Sequence, residues 1–168
     1  ADNGHRVRMI NNEIIEDYGT GKPAAAKRRV SYQCIYRYAI THQVELIYVR
    51  SFHNANPFTI RLFSKLRKAG IKIAMEIPTY PYDSEYAGFP LVTRLGIQVH
   101  KVFRKTLAKH VNAIVTFSDY HCIFGQRTIQ ISNGVDFDSI PLKKTVSKNT
   151  SVIHLLGVAE VHYWHGYD

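Results

Sequence analysis

An α/β fold built on a doubly wound, mainly parallel sheet follows from three features of the sequence. Strand-like apolar runs alternate with helical stretches at least three times. The runs at 45–49 (ELIYV), 71–77 (IKIAMEI) and 112–117 (NAIVTF) are continuous rather than alternating in and out. Continuous runs are what strands covered on both faces by helices look like. Turn and cap residues also stand where such elements must stop and start.

Taken in order, 5–10 (HRVRMI) reads as a strand after Gly4, and 11–26, with Gly19, Gly21 and Pro23, as a loop. From Ala25 to Thr41 the pattern is helical, with Val30, Cys34 and Tyr38 on one face, flanked by Ile35. After the strand at 45–49, Asn56 and Pro57 make an N-cap and first-turn pair. Leu62, Phe63, Leu66 and Ala69 then form a buried stripe, and Gly70 supplies the stop. The strand at 71–77 leads into a loop rich in Pro, Tyr and acids. Pro90 opens a helix expected to turn Val92, Leu95, Val99, Val102 and Phe103 inward. After the strand at 112–117, a short helix is expected over 118–125 and a strand over 128–131. Residues 138–150 (DSIPLKKTVSKNT) read as a linker, and 151–158 (SVIHLLGV) as a fresh buried strand. The predicted organisation is a domain over 1–137, the linker, and the start of a second, truncated domain over 151–168.

The chain has 168 residues, enough for a core without staples, and carries 22 Lys and Arg against 13 Asp and Glu, a net charge of +9. That balance favours anionic partners without choosing among nucleic acid, anionic lipid, phosphorylated substrates and an acidic neighbouring domain, and a solvated basic surface fits equally. The Lys and Arg are not interleaved with aromatics in a nucleic-acid motif, so nucleic acid ranks below the others. A non-catalytic basic α/β module binding such an anion is the alternative to an enzyme. Cys34 and Cys122 fit neither a zinc site nor a disulfide framework, and point to reduced, cytoplasmic chemistry. His162 and His165 stand alone as a metal pair and are discounted, so no metal is expected. No apolar run is long enough to span a bilayer.

In an open α/β sheet, ligands bind beyond the carboxyl ends of the strands. That rule selects loops beginning at Arg50, Glu76, Ser118 and Ser132. The richest is 76–86 (EIPTYPYDSEY), with carboxylates at Glu76, Asp83 and Glu85, tyrosines at Tyr80, Tyr82 and Tyr86, and two stiffening prolines. Tyrosine rings and carboxylates suit a polyhydroxylated ligand, by stacking and by accepting hydroxyl protons; the same loop could instead pack rigidly on the sheet edge. Glu76, at the end of an apolar strand, suits proton transfer or the role of a structural acceptor. Arg50 suits an ion pair with Glu76 or the grip of an anionic ligand. Ser118 and Asp119 suit a helix cap or, with that helix N-terminus, an anion site. Over 91–109, Arg94, Lys101, Lys105 and Lys109 are read as a basic arc opposite the apolar stripe, facing either anionic lipid headgroups or water.

The run 131–136 (ISNGVD), preceded by AIVTFSDYH and followed by a linker and a Gly-containing strand, resembles family 4 glycosyltransferases. Their GT-B fold sets two Rossmann-like domains across a cleft. The resemblance implies that Asn133 and Gly134 form a tight turn closing the acceptor-side domain at the hinge, and that GHRV at 4–7 is the family's second strand. It further implies a retaining hexosyl transfer in polysaccharide biosynthesis. The donor is a nucleotide-sugar co-substrate rather than a bound cofactor, and the acceptor is a carbohydrate or lipid-linked. Residues 151–168 resemble the opening of the donor-binding domain, where Val158 replaces an Arg and His165 stands in the place of a diphosphate-contacting Lys. Glu76 stands where the family has a cleft histidine. The family's first strand should precede Gly4, and its paired acidic motif should follow Asp168. The expectation is therefore an inactive fragment lacking its donor domain, with an apolar sheet edge prone to self-association. The basic arc over 91–109 separately suggests a cytoplasmic protein held peripherally at the membrane.

Overall fold

The computed structural model describes residues 4–50, 54–83, 90–134, 136, 138 and 139, the side chain of Val92 excepted. The chain divides into two compact units, Ala1–Ile131 and Ser132–Asp168. The first unit is α/β, with a five-stranded, mostly parallel sheet flanked by helices and a separate two-stranded hairpin. Of the linker expected over 138–150, residues 140–150 lie outside the described residues, as do the strand expected at 151–158 and His165.

The hairpin comprises β1 (His5–Ile10) and β2 (Glu13–Thr20). Asn11 and Asn12 turn between them at φ of 50° and 67°, the left-handed pair that matches strand twist in a two-residue hairpin turn. This corrects the loop expected over 11–26. It also corrects the assignment of GHRV to the main sheet, because among the described residues β1 pairs only with β2, antiparallel.

The single helix expected over 25–41 is two: α1 (Gly21–Val30) and α2 (Gln33–Thr41). The break at Ser31 has a physical cause in Arg8. Its guanidinium donates to the Arg28 carbonyl at 2.9 Å and the Ser31 carbonyl at 2.6 Å. Those are carbonyls that a continuous helix would have used internally. Arg8 also stacks over Tyr32, 4.9 Å from its ring centroid, and Tyr18 lies 5.7 Å away. One side chain from the hairpin thus ends α1 and sets the start of α2.

The main sheet runs in the order β3 (Leu46–Arg50), β4 (Lys72–Glu76), β5 (Ala113–Thr116), β7 (Gln126–Gln130), β6 (Cys122–Ile123). The first four are parallel, and β6 returns antiparallel on β7. α3 (Pro57–Lys68) links β3 to β4 with the predicted cap, stop and buried Leu62, Phe63 and Leu66; Ala69, expected in that stripe, is instead the exposed residue that ends the helix. Asn56 accepts from the Phe58 and Thr59 amides while the Thr59 hydroxyl accepts from the Asn56 amide, and Gly70 leaves the helix at φ 85°. Leu66, Ile73, Ile114 and Leu107 are fully buried at the centre of the core. Continuous burial holds in full for β5 alone. Among the described residues β3 is an edge strand, and its Leu46, Tyr48 and Arg50 are exposed.

Two further expectations are corrected. The short helix over 118–125 is the β6–β7 hairpin, turning through Phe124 and Gly125 at φ of 53° and 82°. In α4 (Leu91–Ala108) the inward residues are Ile97, His100, Leu107 and Ala108, whereas Leu95, Val99 and Val102 point outward and Phe103 is half-buried. The helix is rotated because its polar residues are the anchored ones. His100 and Arg104 reach the loops after β3 and β4.

Replacement of Arg8 by Ala leaves two helix-end carbonyls without their charged donor. The expected loss is about 2 kcal/mol of unfolding free energy in a denaturant titration. Lys at that position restores little, because a point charge cannot span both carbonyls while covering a ring.

Candidate functional site

Parallel pairing places Arg50 beside Glu76 and Glu76 beside Val115, so the carboxyl ends of β3, β4 and β5 lie level. Arg50 Nε sits 3.5 Å from Glu76 Oε1. Tyr48, two residues earlier on the same face, donates its hydroxyl to Glu76 Oε2 at 2.8 Å. The Glu76 side chain is only 12% exposed while that of Arg50 is 75% exposed, so the carboxylate is sheltered beside an exposed cationic rim. Desolvation first, and the neighbouring carboxylate second, hold the Tyr48 phenol above its usual pKa. At neutral pH it is a hydrogen-bond donor. Oε1 keeps lone-pair capacity for a further donor.

The loop after β4 is held from three sides. The Tyr80 amide donates to Ser118 Oγ at 2.8 Å, which ties this loop to the one after β5. The Thr116 hydroxyl, fully buried, accepts from the Ser118 amide. Ser118 is therefore a tie between loops and caps no helix. The Tyr80 ring is half-buried and meets Tyr120 and Phe124 edge-on at 5.0 and 5.5 Å. Tyr82 turns inward, and its hydroxyl lies 2.9 Å from His100 Nε2. Because His100 Nδ1 accepts from the Ala55 amide at 3.2 Å, Nε2 carries the proton of a neutral ring and donates to the Tyr82 oxygen. Burial holds the Tyr82 phenol above its usual pKa. Asp83 receives both Arg104 terminal nitrogens, at 2.6 and 2.9 Å, with Lys101 Nζ at 3.7 Å. The Arg104 hydrogen bonds hold the Asp83 carboxyl below its ordinary range.

Of the residues selected from sequence, Arg50 and Glu76 meet directly, and Tyr80 and Ser118 are joined in the next loops. Tyr82 is buried against α4, and Asp83, although exposed, is tied to Arg104 and Lys101 of that helix. Asn133 and Gly134 are exposed and follow β7, and Gly134 does not take a positive φ. The expected turn runs through Val135, which lies outside the described residues; further on, the Asp138 amide donates to Asp136 Oδ1 and the Ser139 hydroxyl to the Asp136 carbonyl. Glu85 and His165 lie outside the described residues. Sequence reasoning missed Tyr48, His100 and Arg104. The i, i+2 spacing of Tyr48 and Arg50 on one strand face was a usable signal. Asn54, at the entry to α3, keeps a buried side-chain oxygen with no partner among the described residues. A lone buried acceptor of this kind calls for a donor.

No protein-family model, curated protein or solved structure matches the chain. Among the described residues no cluster of His, Cys, Asp and Glu could hold a metal ion, and no helix is long and apolar enough to cross a membrane.

Because the folded Asp83 carboxyl has a lowered pKa, its stabilising effect is complete above the unfolded value of about 4 and is lost as pH falls through the lower folded value. Thermal midpoints of the wild-type chain and Asp83→Asn, measured from pH 7 to pH 2.5, are expected to differ most above pH ~4 and to converge under acid.

Proposed function

We propose that the described domain is the acceptor-side, Rossmann-like half of a retaining, nucleotide-sugar-dependent glycosyltransferase of the GT-B kind. The observation that carries this reading is the level carboxyl end of a parallel sheet. There a sheltered carboxylate, a phenol donor and an exposed guanidinium converge at Glu76, Tyr48 and Arg50. Toward a ligand the free Glu76 Oε1 lone pair and the Tyr48 oxygen, its proton given to Glu76, accept while the Arg50 guanidinium donates, which suits sugar hydroxyls that both donate and accept. The unpartnered Asn54 oxygen in the neighbouring loop supports the same ligand chemistry. The ISNGVD run beyond β7 supports the family.

In this reading Arg50 and Tyr80 contact the acceptor, and Glu76 Oε1 takes the hydrogen bond of its attacking hydroxyl. Tyr82 and Asp83 act behind them, fixing the loop through His100 and Arg104. The donor sugar nucleotide enters from a facing donor-binding domain. Catalysis then consists of positioning the hydroxyl and stabilising an oxocarbenium-like state.

The test uses the 168-residue chain and amide NMR spectra. A panel of neutral oligosaccharides is expected to perturb signals of Tyr48, Arg50 and Glu76, and Glu76→Gln to weaken that binding about tenfold, the loss expected for a charged hydrogen bond. Oligosaccharides that leave the carboxyl-end loops unperturbed would count against the reading.

A further inference from the structure

The outer face of α4 is apolar and is not accounted for by the core or the Glu76 site. Leu91, Leu95 and Val102 are 73, 67 and 72% exposed, and Val99 is 46% exposed. At 100° per residue these four fall within about 80° of arc, roughly opposite the Ile97, His100, Leu107 stripe that faces the core. A second row runs alongside. Arg94, Lys101 and Lys105 lie within about 40° of one another, on one flank of the apolar ridge. Lys109 caps the helix end. Residues 91–108 include no Asp or Glu. Lys101 and Arg104 are committed to Asp83, but among the described residues Arg94, Lys105 and Lys109 pair with no carboxylate.

We propose that α4 is an interfacial membrane helix, whose ridge of Leu91, Leu95, Val99 and Val102 enters the acyl boundary of an anionic leaflet while Arg94, Lys105 and Lys109 hold its headgroup phosphates. An apolar ridge beside an unpaired cationic row, with no anion on the helix, is complementary to a surface that is apolar below and negative above. Nucleic acid would use the cations and leave the ridge in water. A protein partner would need carboxylates set beside an apolar groove. Membrane docking and sugar transfer are independent, since the outward face of α4 contributes nothing to the Glu76 site.

The experiment is co-sedimentation of the chain with vesicles of phosphatidylcholine alone or with roughly 30% phosphatidylglycerol, which supplies an anionic surface. The chain is expected to pellet with the anionic vesicles and to stay in solution with the neutral ones. Arg94→Gln with Lys105→Gln is expected to lower partitioning about 25-fold, roughly fivefold per cation. Leu95→Gln with Val102→Gln is expected to lower it by about tenfold or more. All four side chains are exposed, so thermal midpoints should hold. Amide exchange of α4 in the unsubstituted chain, slowed by anionic vesicles, gives a readout that needs no variant. Three results would overturn the proposal: no pelleting, equal pelleting of all variants, or a dimer in light scattering that the ridge variant dissolves. The last would assign the ridge to a second copy of the chain.

Discussion

The lateral registry of β3, β4 and β5 is the constraint on which the rest depends. Side chains alternate faces along a strand, so a slip of one residue would send Glu76 to the opposite face from Tyr48 and Arg50. The registry is fixed from within the core. Ile73 and Ile114 are fully buried, and Asn112 stitches the start of β5 to β4 by accepting from the Ile73 amide at 2.9 Å and donating its own amide to the Ile73 carbonyl at 2.7 Å. These contacts lie at the amino end of the sheet. Their effect is felt at the other end, where the polar groups gather.

The parts of the fold legible in sequence are those where one residue type has one mechanism. Asn56, Pro57 and Gly70 bound α3 because each meets a backbone need that few other residues meet. The continuous run at 112–117 marked the one strand buried along its whole length. What escaped reading was set by tertiary partners. Nothing local to 28–31 says that a guanidinium from β1 will take its carbonyls and divide a helix. In α4 the period was right and the phase was wrong. His100 and Arg104 count as polar in a hydrophobicity pattern, yet the first is 2% exposed, and the second is held by Asp83 over the Phe124 ring. A pair of specific polar anchors outweighed the burial of Leu95 and Val102.

The candidate site was legible to the same extent and for the same reason. Arg50 and Glu76 follow from the rule that strand ends carry ligand contacts, and their ion pair needs no knowledge beyond parallel pairing. The loop from Pro78 to Asp83 read as a set of outward-facing rings and carboxylates. In the structure it splits into a half-buried ring at Tyr80, a buried ring at Tyr82 and an exposed carboxylate at Asp83 that Arg104 holds to α4. Composition could name the chemistry of that loop, but the division of labour within it depends on α4.

Phe124 shows how far such support extends. Its backbone lies at φ 53°, a left-handed conformation that a bulky residue adopts at a cost of about 1 kcal/mol and that Asn or Gly would take more readily. Its ring, however, meets Tyr80 and Tyr82 edge-on and carries Arg104 4.6 Å above it. Backbone comfort and ring contact are opposed at this position, and the ring has prevailed. The tip of the β6–β7 ribbon is thus less a chain reversal than a buttress, and a more relaxed turn there would leave the tyrosine loop without its far wall.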